Sequence, residues 1–195
     1  MTLMIGESPV PLKLGDARVV EVRPLEQRDR RLIADAIRRL SDHSRYLRFA
    51  SPKPWMTERE LDRLVDVDHR EREALLAIDP LTGRGVAVAR YVQVPGEPGV
   101  VELAAAVADD WQGIGLGRTL LARLTRRACD EGHTAFRAYV LAVNRRAIAM
   151  LRRAGFRARS RAGTVIEYEL ATDAHRTRLS DAGCSEGHRP DPRRG

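Results

Sequence analysis

The stretch Val107–Thr119, VADDWQGIGLGRT, decides how this chain of 195 residues is read. An apolar, strand-like run, Val100–Ala108, leads into it, and a helical pattern, Leu116–Cys129, leaves it. Gly113, Gly115 and Gly117 lie between them. Strand, glycine-rich turn and helix in that order suit a phosphate. Glycines let the backbone approach a ligand closely, and the first amide N–H groups of a helix have no intrahelical partner. The helix dipole adds about half a positive charge at the same end. A phosphate-bearing ligand is expected here.

Glycine spacing narrows the ligand. A nucleoside-triphosphate loop needs G-x-x-x-x-G-K-[ST]. Here Arg118 and Thr119 follow Gly117, and no lysine is present. A dinucleotide fold needs G-x-G-x-x-G and an acidic residue after the next strand. Here the third glycine is misplaced, and the next strand ends in Ala142-Val143-Asn144. The pattern Q/R-x-x-G-x-G/A, by contrast, fits Gln112–Gly117 without a gap.

That last pattern carries a family resemblance. The segment Val107–Phe156 resembles the acetyl-CoA-binding half of the GNAT N-acetyltransferase superfamily. Its first motif is VADDWQGIGLGRTLLARL and its second is VNRRAIAMLRRAGF, Val143–Phe156. The likeness widens to about Ser41–Phe156. There SDHSRYLRFASPKPWMTERELDRLVDVD, ALLAID, VAVARYV and VELAAAVADDWQGIGLG are similar to the catalytic domain of bacterial protein-lysine acetyltransferases of the Pat family. The resemblance implies an α/β GNAT fold, a mixed and mostly antiparallel sheet of about seven strands flanked by about four helices. It implies acetyl-CoA as cosubstrate and a primary amine as acceptor, either a protein lysine or a small polyamine-like amine. The alternative is a non-catalytic CoA-binding regulatory module.

The resemblance also assigns roles. The pyrophosphate is expected on the backbone amides of Gly113, Ile114, Gly115, Leu116, Gly117, Arg118 and Thr119, with Arg118 adding charge. Gln112 either shapes the turn or meets the phosphate. Backbone groups of Ala105, Ala106 and Val107 are expected to pair with the pantetheine arm, beside a strand bulge that splays the sheet. Asn144 is expected to cap a helix and to bond the pantetheine. Glu102 takes the position of the family's glutamate base, and burial against Leu103 and the alanines would raise its pKa. Leu151 stands where many members have a tyrosine acid, so that acid is excluded. Tyr139 is a substitute acid or a pocket wall. Asp66 and Asp68 either attract a cationic amine or solvate a helix end. Arg45 and Arg48 face either CoA phosphates or an acidic substrate.

The rest of the chain fits one domain. Residues 1–15 read as a flexible leader, 16–171 as the acetyltransferase domain and 172–195 as a disordered tail. Strands are expected at Ala17–Val22, Glu73–Ile78, Gly85–Val94, Val100–Ala108, Thr134–Val143, Phe156–Ser160 and Gly163–Leu170. Helices are expected at Glu26–Leu40, Ser41–Phe49, from Thr57 to about Val67, Leu116–Cys129 and Arg145–Ala154. Only segments joined through helices are expected to be parallel.

Composition excludes further classes. Hydrophobic residues are 43% of the chain but aromatics only 5%, so the core must be mainly aliphatic. The net charge of +7 is nearly all arginine. It suits an anionic cofactor or a solvated exterior. Nucleic acid is disfavoured, since no reading helix or aromatic platform is recognisable. Cys129 and Cys184 form no disulfide framework, and the histidines show no metal spacing, so no metal is expected. No apolar run approaches about 20 residues and no secretory signal is visible, which points to a cytoplasmic protein with no membrane partner. A homodimer is a candidate assembly.

Overall fold

A computed structural model describes residues 9–51 and 56–171. Positions 1–8 of the leader, the proline loop at 52–55 and the tail expected to be disordered from Thr172 lie outside the described residues. The elements run β1 (Val10–Lys13), β2 (Val19–Pro24), α1 (Arg30–Arg39), α2 (Asp42–Phe49), α3 (Glu58–Val65), β3 (Arg72–Asp79) and β4 (Arg84–Gln93). Then follow β5 (Val100–Val107), α4 (Leu116–Asp130), β6 (Ala135–Leu141), α5 (Arg145–Arg153), β7 (Arg157–Ala162) and β8 (Val165–Ala171). Local chemistry sets several ends. The Thr57 hydroxyl accepts from the Glu60 amide while Glu60 accepts from the Thr57 amide, a capping box opening α3. Asn144 Oδ1 accepts from the Ala147 amide and opens α5.

All eight strands form one mixed sheet, in the order β1-β2-β3-β4-β5-β6-β8-β7. This is the expected α/β fold with one more strand than expected. The extra strand corrects the leader: Val10–Lys13 pairs antiparallel with β2, and the turn after it continues into the glycine loop's surroundings. Arg18 donates to the Asp110 carbonyl at 2.9 Å and stacks on Trp111 at 4.4 Å. The parallel expectation is met: among the described residues the one parallel pair is β5–β6, joined through α4, while β2 and β3, also joined through helices, pair antiparallel.

Helices cover both faces. On one, α4 and α5 bury Leu116, Leu120, Leu124 and Leu151 against Leu75, Tyr91, Val101, Leu103 and Phe136. On the other, α1 and α3 bury Ile33, Ile37, Leu61 and Val65 against Ala74 and Leu76. β3 lies between both cores, which is why Ala74–Ala77 reads as an unbroken apolar run. No helix among the described residues is long and apolar enough to cross a membrane.

Charges enter these cores only with partners. Glu73 is 1% exposed, yet its oxygens accept from Arg127 Nε at 2.9 Å, from the Ala74 amide at 2.7 Å and face His69 Nδ1 at 3.0 Å. Asp29 is 2% exposed and takes two hydrogen bonds of 2.6 Å from Arg23, besides one of 2.9 Å from the Glu26 amide. Burial alone would raise the Asp29 pKa. The Arg23 guanidinium, the Glu26 amide and the Arg28 charge outweigh it and hold the carboxyl below the usual aspartate value. A depressed folded-state pKa means stability that is present above the ordinary aspartate range and is lost as pH falls through the lower folded value. Asp29→Ala leaves Arg23 buried without its anion and is expected to cost about 3 kcal/mol, read from urea midpoints at pH 7. Asp29→Asn is expected to flatten the acid limb of the midpoint-against-pH curve.

Candidate active site

The site begins where two strands part. β5 and β6 pair in parallel only over Val100↔Ala135, Val101↔Phe136 and Glu102↔Arg137. β5 then runs on to Val107 paired with β4 alone, in an unbroken register from Gln93↔Val101 to Ala87↔Val107. From Leu103 onward its other edge is free of β6. Ala105, Ala106 and Val107 thus lie on an open strand edge, as the pantetheine assignment requires. The expected bulge is absent from β5. Register shifts lie elsewhere, in the β3–β4 ladder between Ala77 and Ile78 and in the β7–β8 ladder between Ala158 and Ser160. Parting of the ladders alone opens the sheet.

The glycine loop closes one end of this opening. Gly113 has φ +83° and Gly115 φ +94°, left-handed values that favour glycine. Gly117 serves differently. A Cβ there would lie 3.4 Å from Val107 Cγ2 and 3.6 Å from Met150 Sδ, ordinary contact distances, so this glycine marks where α4 packs on β5 and α5 and its bareness is not required. Gly115 caps α4 with no side-chain bond. None of the backbone N–H groups from Gly113 to Arg118 donates to an acceptor among the described residues. The Thr119 amide and hydroxyl, in contrast, both donate to the Gly115 carbonyl, at 3.0 and 3.2 Å. Thr119 therefore closes the first helical turn. Leu116 contributes its amide while its side chain is core, and the Arg118 side chain is exposed. Such a row of unpaired amides at an uncapped helix start suits a diphosphate.

Gln112 shapes this loop. Its Nε2 donates to the Val107 carbonyl at 3.0 Å and to Ser44 Oγ at 3.2 Å, while its Oε1 accepts from Arg146 Nη1 at 3.0 Å. One side chain joins β5, α2 and α5. Asp109 reinforces the α2 tie, accepting from the Ser41 amide and hydroxyl at 2.9 Å and from the Ser44 hydroxyl at 2.5 Å. Burial would raise its pKa, and these donors hold the carboxyl below the ordinary value. Ser44, Asp109 and Arg146 were not singled out from sequence. Their partners lie far apart in the chain, so no local pattern marks them. Asn144 spends its Oδ1 on the helix cap and keeps its amide nitrogen for another acceptor.

Glu102 corrects one expectation. It is exposed, not buried, because it projects from the face opposite Val101 and Leu103. Ala104 and Ala106 share its face, as do Arg90 and Val88 on β4. It stands at the last rung before the sheet opens. Asp68 is committed to structure. Its Oδ1 accepts from the Arg70, Glu71 and Arg72 amides at 2.8–2.9 Å, and Arg72 pairs with it at 3.1 Å. Desolvation opposes these donors, which nonetheless hold the carboxyl below its ordinary value. Asp66 ends α3 and lies 3.5 Å from Arg72. Tyr139 is half exposed on β6, on the Glu102 face. Arg45 is taken by Asp42 and the Leu40 carbonyl. Arg48 instead lines a cleft with Arg90, Phe49, Leu64, Val88 and Ala104–Ala106.

This geometry and the sequence relatives agree. The acetyltransferase (GNAT) family model matches residues 35–156, and the chain belongs to that family. It is 36% identical over 121 residues to "Acetyltransferase PA5475" of Pseudomonas aeruginosa, covering 61% of this chain and 64% of that protein. It is 29% identical over 138 residues to "Acetyltransferase Pat" of Mycolicibacterium smegmatis, covering 70% of this chain and 41% of that protein. The chain thus spans less than two thirds of either relative. The GNAT domain of S. lividans PAT superposes with a TM-score of 0.77 at 27% identity, covering 84% of this chain and 96% of that domain.

The loop makes a direct prediction. Gly115→Ala puts a Cβ on a left-handed residue, a cost of about 1–2 kcal/mol. In the free protein the loop has room to leave the left-handed geometry, so the urea midpoint is expected to move little, while CoA binding, which needs that geometry, is expected to weaken about tenfold by calorimetry.

Proposed function

We propose that the protein is an acetyl-CoA-dependent N-acetyltransferase acting on a primary amine. One observation carries the reading: an open strand edge, Ala105–Val107, runs from an exposed glutamate at one end to a row of unpaired amides at the other. Family membership supports the same chemistry.

In this reading the Gly113–Arg118 amides hold the diphosphate, with Arg118 adding charge. Val107 to Ala105 bind the pantetheine as an added strand, and the Asn144 side-chain nitrogen donates to it. Acetyl-CoA would bring a thioester carbonyl open to attack by an uncharged amine. Alkylamines are mostly ammonium near pH 7, so a proton must leave before attack. Glu102 takes that proton, directly or through water. Its exposure connects it to solvent, so the carboxylate is restored between turnovers. Over one turnover the nitrogen gains an N–C bond and the thioester loses its C–S bond. Of the two protons the ammonium sheds, one ends on the CoA sulfur and the other leaves through Glu102. The CoA thiolate is a good leaving group, so the buried Leu151 is acceptable at the position where many family members carry a tyrosine acid.

Thiol release from acetyl-CoA across an amine panel tests the proposal; silence with every amine sinks it. Glu102→Gln is expected to lower kcat about 10²–10⁴-fold with CoA affinity unchanged. An unchanged kcat would remove Glu102 as the base.

A further inference from the structure

The cleft beside β5 holds cationic groups that the transfer chemistry leaves unused. Arg48 reaches it from α2 and Arg90 from β4. Among the described residues the Arg48 guanidinium makes no hydrogen bond and no ion pair; its neighbour is the Phe49 ring, 4.9 Å away. Arg90 gives Nη1 to the Arg63 carbonyl at 3.2 Å, but its Nε is buried with no acceptor. The cleft walls around them are apolar: Ile33, Phe49, Leu64, Val88 and the β5 alanines. Burial and the Arg90 charge push the Arg48 pKa down to about 10, with Glu102 partly opposing them. Arg48 therefore stays charged at neutral pH.

Nearby carboxylates do not answer this charge. Glu102 lies close enough to act on both arginines through space, but hydrogen-bonds to neither. Asp66 and Asp68 are engaged by Arg72. A desolvated guanidinium without an anion is costly, and the usual resolution is a bound carboxylate or phosphate. The arrangement is held in place. Ser41 and Ser44 bind Asp109, and Ser44 binds Gln112, so α2 carries Arg48 in a position set by the glycine loop itself.

We infer that the acetyl acceptor is a small primary amine that also carries a carboxylate, with its anion bound by Arg48, supported by Arg90, and its nitrogen toward Glu102. An α-amino acid with an apolar side chain meets all three features of the cleft: a cation for the carboxylate, a carboxylate for the amine and apolar walls for the body. This inference rests on the acetyltransferase reading above and gives its acceptor class. It departs from the polyamine-like and protein-lysine acceptors expected from sequence.

Matched pairs test it. CoA release is measured with a panel of α-amino acids and their C-terminal amides, leucine and leucinamide among them, beside spermidine and a lysine peptide. The amide has the more readily deprotonated amine, so intrinsic chemistry favours it. The expected result is a kcat/KM at least about 100-fold higher for an acid than for its amide. In Arg48→Gln the gap is expected to collapse through the acceptor KM, with the KM for acetyl-CoA unchanged. An absent gap, a gap that survives Arg48→Gln, or a preference for spermidine or the peptide would overturn the inference. If no amine releases CoA, the transferase reading fails separately. Calorimetry of the CoA-loaded protein with the amino acids then decides this one: binding lost in Arg48→Gln supports it, and no binding overturns it. The thermal midpoint of Arg48→Gln is expected to stay level or rise, because an unpaired, half-buried charge is removed; a marked fall would assign Arg48 a structural role instead.

Discussion

The structure depends on one departure from sheet regularity. β5 keeps its full ladder with β4 but gives up β6 after Glu102↔Arg137. A strand in the middle of a sheet ordinarily satisfies its backbone on both sides, and unpaired amides are costly when buried. Here the unpaired edge is retained, next to another set of unpaired amides at the start of α4. An open strand edge and a row of unpaired amides meet beside Val107, whose carbonyl is held by Gln112, and form a surface that an extended ligand with a phosphate end can complete. The rest of the fold holds this gap. α4 packs beside it at Gly117, next to Val107 and Met150, and β6 turns to β8 for its other ladder.

A second feature couples the two halves of the site. Gln112 and Asp109 lie on either side of Trp111 at the end of β5, and both bind α2 through Ser44. The segment that supplies Arg48 to the cleft is thereby fastened to the glycine loop. A ligand that shifts the loop would be felt by α2 through these hydrogen bonds, without any contact between the two ligands. Gln112 also takes Arg146 from the start of α5, so both motifs of the family converge on one side chain.

Much of this was legible from sequence because it is local. Strand, glycine turn and helix follow one another without interruption, and Gly113 and Gly115 announce the positive φ angles they adopt. The Thr57 and Asn144 caps act over three residues. Misreadings fell where a partner was distant. Val10–Lys13 looks like a leader because its ladder partner, β2, gives it structure, not its own composition. Glu102 was expected to be buried because its neighbours are apolar, but a strand alternates, and the even positions of β5 face the cleft. Asp68 looked available to an amine until three amides and Arg72 were found to occupy it. Arg90 sits inside the apolar run GVAVARYV, where a lone charge at an alternate position marks the face that meets the cleft.

By itself the sequence determined the family, the glycine turn that opens a helix and the glutamate that stands at the sheet's last shared rung. Those properties live in short spans, where spacing dictates backbone geometry. Tertiary structure alone decided which side of β5 each residue faces, where the ladder parts and which charges are already paired. Among the described residues it leaves Arg48 without an anion while Arg45, three residues earlier on the same helix, is taken by Asp42 and a carbonyl. Pairing between residues forty or more positions apart depends on how strands dock, and no local pattern of residue types encodes it.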